Sequence, residues 1–132
     1  MAGETDLGRL LDGLDATVRE GEFVFVTTEL PLDADARIVE AEGPTLVLRR
    51  QVAEAEGLAF DGVFAWLTLD VHSALEAVGL TAAVSRVLAD AGISCNVLAG
   101  FYHDHLLVPA ARATEAVALL RSLGAPPTCG TS

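Results

Sequence analysis

Three groups of residues between Gly79 and Pro109 have the types and spacing to do chemistry. Gly79-Leu80-Thr81 reads as the start of a helix. A glycine there lets backbone approach a ligand closely, and the first N–H groups of a helix lack partners within it and favour an anion such as a carboxylate. Asn96, at the head of a strand, carries an amide that can serve both the amine and the carboxylate of an amino acid. His103-Asp104-His105 alternates so that a regular strand would put two imidazoles on one face, a spacing able to chelate a metal. A convincing metal site needs a third ligand, and His72 and Asp70 are the evident distant candidates.

Each group also has a plainer role. Thr81 can simply cap a helix. Asn96 can satisfy a turn. The His-Asp-His segment can be a polar hairpin turn in which Asp104 accepts backbone N–H bonds and a histidine packs on Tyr102. The paired histidines lack the spacing of a metal motif, so no metal and no cofactor is expected. Arg49-Arg50 can grip a carboxylate bidentately or pair with nearby glutamates. Cys95, in an apolar strand, reads as an inert thiol, and Glu54, Glu56 and Asp61 as a solvated face. No Ser-His-Asp grouping, phosphate loop or zinc motif can be assembled from adjacent sequence, so no catalytic residues are expected.

The elements that must position these groups follow from periodicity. Leu7, Leu10, Leu11 and Leu14 are spaced for a helix over Asp6–Leu14, with Thr5 or Asp6 as its cap. Ala16–Val18 and Phe23–Thr28 read as strands joined in a hairpin at Glu20-Gly21. Pro31–Glu42 is an acidic loop in which Ala36–Val39 can add a short strand. Thr45–Arg49 is a strand, and Gln51–Glu56 a short helix closed by Gly57. Val63–Asp70 is the strongest strand of the chain. Val63, Ala65, Leu67 and Leu69 share one face and Phe64, Trp66 and Thr68 the other, so both faces need cover. Helices can supply one side; a second sheet, another subunit or the N-terminal half must supply the other.

Thr81–Ala91 is an amphipathic helix with Leu80, Val84, Val87, Leu88 and Ala91 in one stripe and Gly92 as its left-handed C-terminal cap. Strands follow at Cys95–Phe101 and His105–Val108. Pro109 ends the second and opens a last helix with Ala113, Ala116, Val117, Leu120 and Leu123 on its buried face. Gly124 stops that helix, and Pro126-Pro127 begins a tail expected to be disordered. The order helix, strand, strand, helix occurs over Asp6–Glu56 and again over Thr81–Leu123, a faint echo between the halves.

The bulk composition narrows the function. The chain has 132 residues, enough for one domain or two small packed halves. It carries 19 acidic residues against 8 basic ones, all arginine, for a formal charge of −11. A field of that sign repels phosphate backbones and anionic lipid surfaces, which argues against nucleic-acid and membrane partners. No apolar run approaches the roughly 18 residues of a membrane span. The acidic N-terminal stretch lacks the apolar core of a signal peptide, and Cys95 and Cys129 make no disulfide framework. A reduced, cytoplasmic setting is expected.

From Val63 to Leu123 the strand-helix-strand-strand-helix order closely resembles the ACT domain. Gly79 at the helix start, Gly92-Ile93-Ser94 and Asn96, Tyr102–His105 and the Val108-Pro109 junction carry the likeness. It resembles most the small stand-alone bacterial ACT-domain proteins whose fold is similar to the regulatory domains of aspartate kinases. The resemblance implies an α/β (α+β) architecture of two tandem ferredoxin-like units, with antiparallel sheets and helices on one face. The units are expected at 1–62, a degenerate ACT-like unit, and 63–123, an ACT domain, with 124–132 as the tail. The closing strand of the second unit is missing, so the N-terminal half or a partner chain must provide it.

The same resemblance implies a non-catalytic regulatory module that senses a small metabolite, usually an amino acid, and a homodimer. It places ligand contacts at Val78, Gly79, Leu80, Thr81, Asn96 and Val97. Two other readings stay open on the residues alone: a structural or protein-interaction module without ligand, supported by the two-sided apolar strand, and a metal-dependent enzyme using His103, Asp104 and His105.

Overall fold

β1 (Asp15–Thr27) is the spine of the molecule. In the computed structural model, which describes residues 13–70 and 77–124, its first half pairs with β4 (Phe64–Asp70) and its second half with β3 (Gly43–Arg49). β2 (Ala36–Glu40) adds to β3, β6 (Asp104–Pro109) adds to β4, and β5 (Asn96–Ala99) adds to β6. The result is one antiparallel six-stranded sheet in the order β2-β3-β1-β4-β6-β5. The tail from residue 125 and the helix expected over Asp6–Leu14 lie outside the described residues, apart from Gly13 and Leu14.

The hairpin expected at Glu20-Gly21 is not formed; β1 runs straight through it. The strand keeps the same neighbour across this point, Arg19 opposite Trp66 and Phe23 opposite Phe64, so four steps on β1 match two on β4. The extra residues form a bulge, which also needs a left-handed glycine, and Gly21 has φ +109°. Sequence cannot separate the two solutions, because hairpin and bulge share that requirement. A Cβ on Gly21 would lie 2.9 Å from Arg49 Nη1, the mobile end of a long side chain, so it is the backbone conformation rather than the contact that favours glycine here.

Alternation sorts the strand residues onto two faces. On the convex face Ala16, Ala65, Leu67, Leu69, Leu106 and Val108 lie under α2 (Ala77–Asp90) and α3 (Ala113–Gly124), against Leu80, Val84, Leu88, Ala116 and Leu120. Further along the same face Val24, Val26, Leu46 and Leu48 lie under α1 (Arg50–Ala55), against Ala53. All three described α-helices therefore pack on one face, and the apolar stripes read for α2 and α3 are the ones that bury. Gly92, at φ +74°, ends α2 in a Schellman turn, with Ile93 N–H donating to Leu88 C=O and Gly92 N–H to Ala89 C=O.

α2 already includes Ala77, so Thr81 is not its N-cap. Gly79 sits within the helix, where a glycine costs about 1 kcal/mol against alanine. The strand that the second unit lacks is supplied within the chain: β1 lies beside β4 where a ferredoxin-like unit has its last strand. The two units thus share one sheet rather than owning one each.

Candidate functional site

The residues expected to contact a ligand fall at two places. Val78, Gly79, Leu80 and Thr81 occupy the first turn and a half of α2, where Leu80 points into the convex core. Asn96 and Val97 open β5, an edge strand separated from β4 by β6. Asn96 is exposed, and its Nδ2 donates across the ladder to Leu107 C=O at 3.3 Å.

The His-Asp-His segment divides. His103 lies in the tight turn between β5 and β6, closed by Gly100 N–H donating to His103 C=O at 2.8 Å. Asp104 and His105 begin β6, and the two imidazole centroids are 6.4 Å apart. Among the described residues no three His, Cys, Asp or Glu side chains converge as a metal cluster would. The histidine packing expected on Tyr102 is instead made on Trp66, with centroids 5.4 Å apart, because β6 pairs with β4 and carries His105 to that face. Tyr102 stacks edge-on against Phe101 at 4.9 Å, both at the exposed tip of the turn. Arg50 pairs with Glu22 and Glu54, the plainer of its two expected roles. Burial pushes the Cys95 thiol up, away from the reactive thiolate.

The concave face holds a site that residue spacing alone does not reveal. Among the described residues no α-helix lies there. The sheet instead curls, and Phe23, Val47, Trp66 and Leu107 bury one another with Phe25, Phe64, Ala36 and Leu98 alongside. The curl brings both free edges, β2 and β5, to the rim of one cavity of about 530 Å³. Trp66 forms its floor, and Arg19, Asp35, Ile38, Leu98 and His105 line it.

The Arg19 guanidinium lies 4.1 Å from the Trp66 ring centre, a cation–π contact, and its Nη1 reaches Asp35 Oδ1 at 3.3 Å. The Trp66 indole can only donate, so its Nε1–H, 3.2 Å from His105 Nδ1, fixes that nitrogen as an acceptor and leaves the proton on Nε2. Thr68 Oγ1 is 3.0 Å from the same nitrogen. Burial holds the His105 pKa below its ordinary value, helped by the charges of Arg19 and His103 and opposed by Asp104. The imidazole is thus a neutral Nε2–H donor. The sequence signal for this face was the second apolar side of the β4 strand, with Trp66 and Thr68 on it; Arg19 gave none.

A strand-helix-strand-strand-helix unit, closed by a strand from a preceding half on one shared sheet, defines a tandem regulatory fold of ferredoxin-like units. The chain belongs to the ACT-domain family: one ACT-domain model matches residues 2–65 and a second matches residues 63–122. Among solved structures it is similar to a Vibrio cholerae protein of unknown function described as a possible transport protein, at 40% identity and TM-score 0.86, over 93% of this chain and 99% of that one. A protein from Agrobacterium tumefaciens shares the fold at 19% identity and TM-score 0.66, over 84% of this chain and 89% of that one. Aspartokinase III of E. coli, solved in complex with aspartate and ADP, shares it at 15% identity and TM-score 0.58, over 82% of this chain but 32% of the kinase. No curated protein matches the sequence. ACT domains are small-molecule regulatory modules, and among the described residues no helix is long and apolar enough to cross a membrane.

Proposed function

We propose that this chain is a non-catalytic, cytoplasmic regulatory module that binds an amino acid and acts as a homodimer. The observation that carries the reading is the pair of ACT units fused into one sheet, of which the C-terminal unit keeps both helices and the three strands β4, β5 and β6. The ligand contacts are Val78, Gly79, Leu80, Thr81, Asn96 and Val97. The N-terminal end of α2 takes the carboxylate, and the exposed head of β5 takes the amine. Such a helix-end interaction is worth about 0.3–1 kcal/mol when exposed, so the side-chain contacts supply the rest. The likeness to aspartokinase III supports an amino acid as the ligand class. The unit boundary near residue 62 belongs to the same proposal.

Regulation follows from differential affinity. A ligand held between α2 of one subunit and β5 of its partner favours one subunit arrangement over another by as much as it binds that arrangement better. Isothermal calorimetry of the folded protein against the common amino acids tests the reading. A saturable heat with at least one of them is expected; no heat with any, alongside a cooperative melt, overturns it.

A second reading, a protein-interaction module, is favoured by one observation. Phe101 and Tyr102 are 94% and 81% exposed at the tip of the β5–β6 turn. Light scattering of a Phe101→Ser, Tyr102→Ser double variant separates the two: a loss of self-association supports it, and an unchanged mass counts against it.

A further inference from the structure

We propose that the concave cavity is a separate binding site whose ligand is a short zwitterionic peptide with an apolar side chain. The inference goes beyond the amino-acid site above and uses different residues, Val97 excepted.

The first observation is the backbone of the two rims. β2 and β3 join through the two-residue turn 41–42, with Glu40 opposite Gly43 and Val39 opposite Pro44. Proline has no N–H, so the bonded pairs of this ladder are those of Ala36, Ile38 and Glu40. The N–H and C=O of Arg37 and Val39 then face the free edge. In the β5–β6 hairpin the Gly100 N–H to His103 C=O bond sets the same alternation. Asn96 and Leu98 bond to β6, and Val97 and Ala99 present their main chain outward. Arg37, Val97 and Ala99 all line the cavity. Arg37 does so by its backbone, because it pairs with Leu46 and its side chain leaves on the convex face to reach Leu32 C=O at 3.5 Å. A cavity bordered on both sides by strand edges that no other described strand pairs fits a ligand with its own alternation of N–H and C=O.

The second observation is charge. The charged side chains aimed at the cavity from the concave side are Arg19 and Asp35, one of each sign, in a chain of formal charge −11. Their contact uses Arg19 Nη1 and Asp35 Oδ1, leaving Arg19 Nη2 and Asp35 Oδ2 for a ligand carboxylate and a ligand ammonium. His105 Nε2–H adds a neutral donor. Ala36, Ile38, Leu98 and Trp66 form an apolar wall, and the volume is within the range of roughly 300–1,000 Å³ usual for small-ligand pockets.

Trp66 is the sole tryptophan of the chain, so its emission reports on this cavity alone. The full chain is titrated with leucyl-leucine and trileucine, against free leucine and N-acetyl-leucyl-leucine amide. The expected result is a saturable change in Trp66 emission with both peptides, at least about tenfold tighter than with leucine or the blocked peptide. Arg19→Gln and, separately, Asp35→Asn are expected to weaken peptide binding by about tenfold or more in calorimetry, with unchanged circular dichroism. No saturable change up to millimolar peptide overturns the proposal. So does leucine or the blocked peptide binding as tightly, or two folded variants binding as the parent does. A heat from free amino acids without any Trp66 response belongs to the α2 and β5 site and leaves the two proposals separable.

Discussion

The convex and concave faces of one sheet are covered by different means. On the convex face three helices lie on strands whose inward residues are all apolar. On the concave face the sheet covers itself, with Phe23, Val47, Trp66 and Leu107 buried at the centre and Arg19 and His105 near the opening. Helices close the first face against water and leave no room for polar groups. Curling closes the second only in part, and the polar groups stay half exposed and available. Stability is therefore concentrated on the helix side, and ligand chemistry has room on the other.

Substitutions can break that contrast. Leu67→Ala, at a fully buried convex position, is expected to cost about 2–5 kcal/mol in denaturant unfolding. Gly124→Ala comes next. A Cβ there would run into the Leu14 backbone, where the end of α3 meets the start of β1, so backbone must shift; the expected cost is about 1–3 kcal/mol. On the concave face Trp66→Phe keeps the ring but removes the indole donor to His105. About 1–2 kcal/mol is expected, together with a loosened His105. If Trp66→Phe destabilises as much as Leu67→Ala, the division between the faces fails.

The smallest effect is one of pH. The fold holds His105 neutral, with its pKa below the ordinary 6.5. As pH falls below that value the unfolded chain takes up a proton that the folded one resists, so stability drops through the window just under pH 6.5. Thermal melts between pH 7.5 and 5.5 should show this slope, and His105→Gln should reduce it. A slope unchanged by that substitution would place its origin elsewhere.

Much of the convex face was legible in the residues. The Leu80-Val84-Leu88 and Ala116-Leu120 stripes, the Gly92 cap and the β4 alternation are local patterns, and local patterns survive folding. What was not legible depends on pairing between distant segments. Glu20-Gly21 suits a hairpin or a bulge equally, and only the continuous partner β4 decides it. Thr81 looks like a cap until Ala77 and Val78 join the helix ahead of it. The concave cavity gathers Arg19, Trp66, Leu98 and His105 from four strands, and no single window of sequence holds two of the first three. His105 drew notice as half of a metal-like pair, yet its partner proved to be Trp66.

The central claim is that this ACT-domain chain binds an amino acid reversibly while doing no chemistry on it. Calorimetric titration of the folded protein with each common amino acid, the solutions then analysed for turnover, tests it most directly. A saturable heat with one or a few of them, and the amino acid recovered intact, is the predicted result. The claim is contradicted if the folded protein gives no heat with any of them, or if the bound amino acid is consumed.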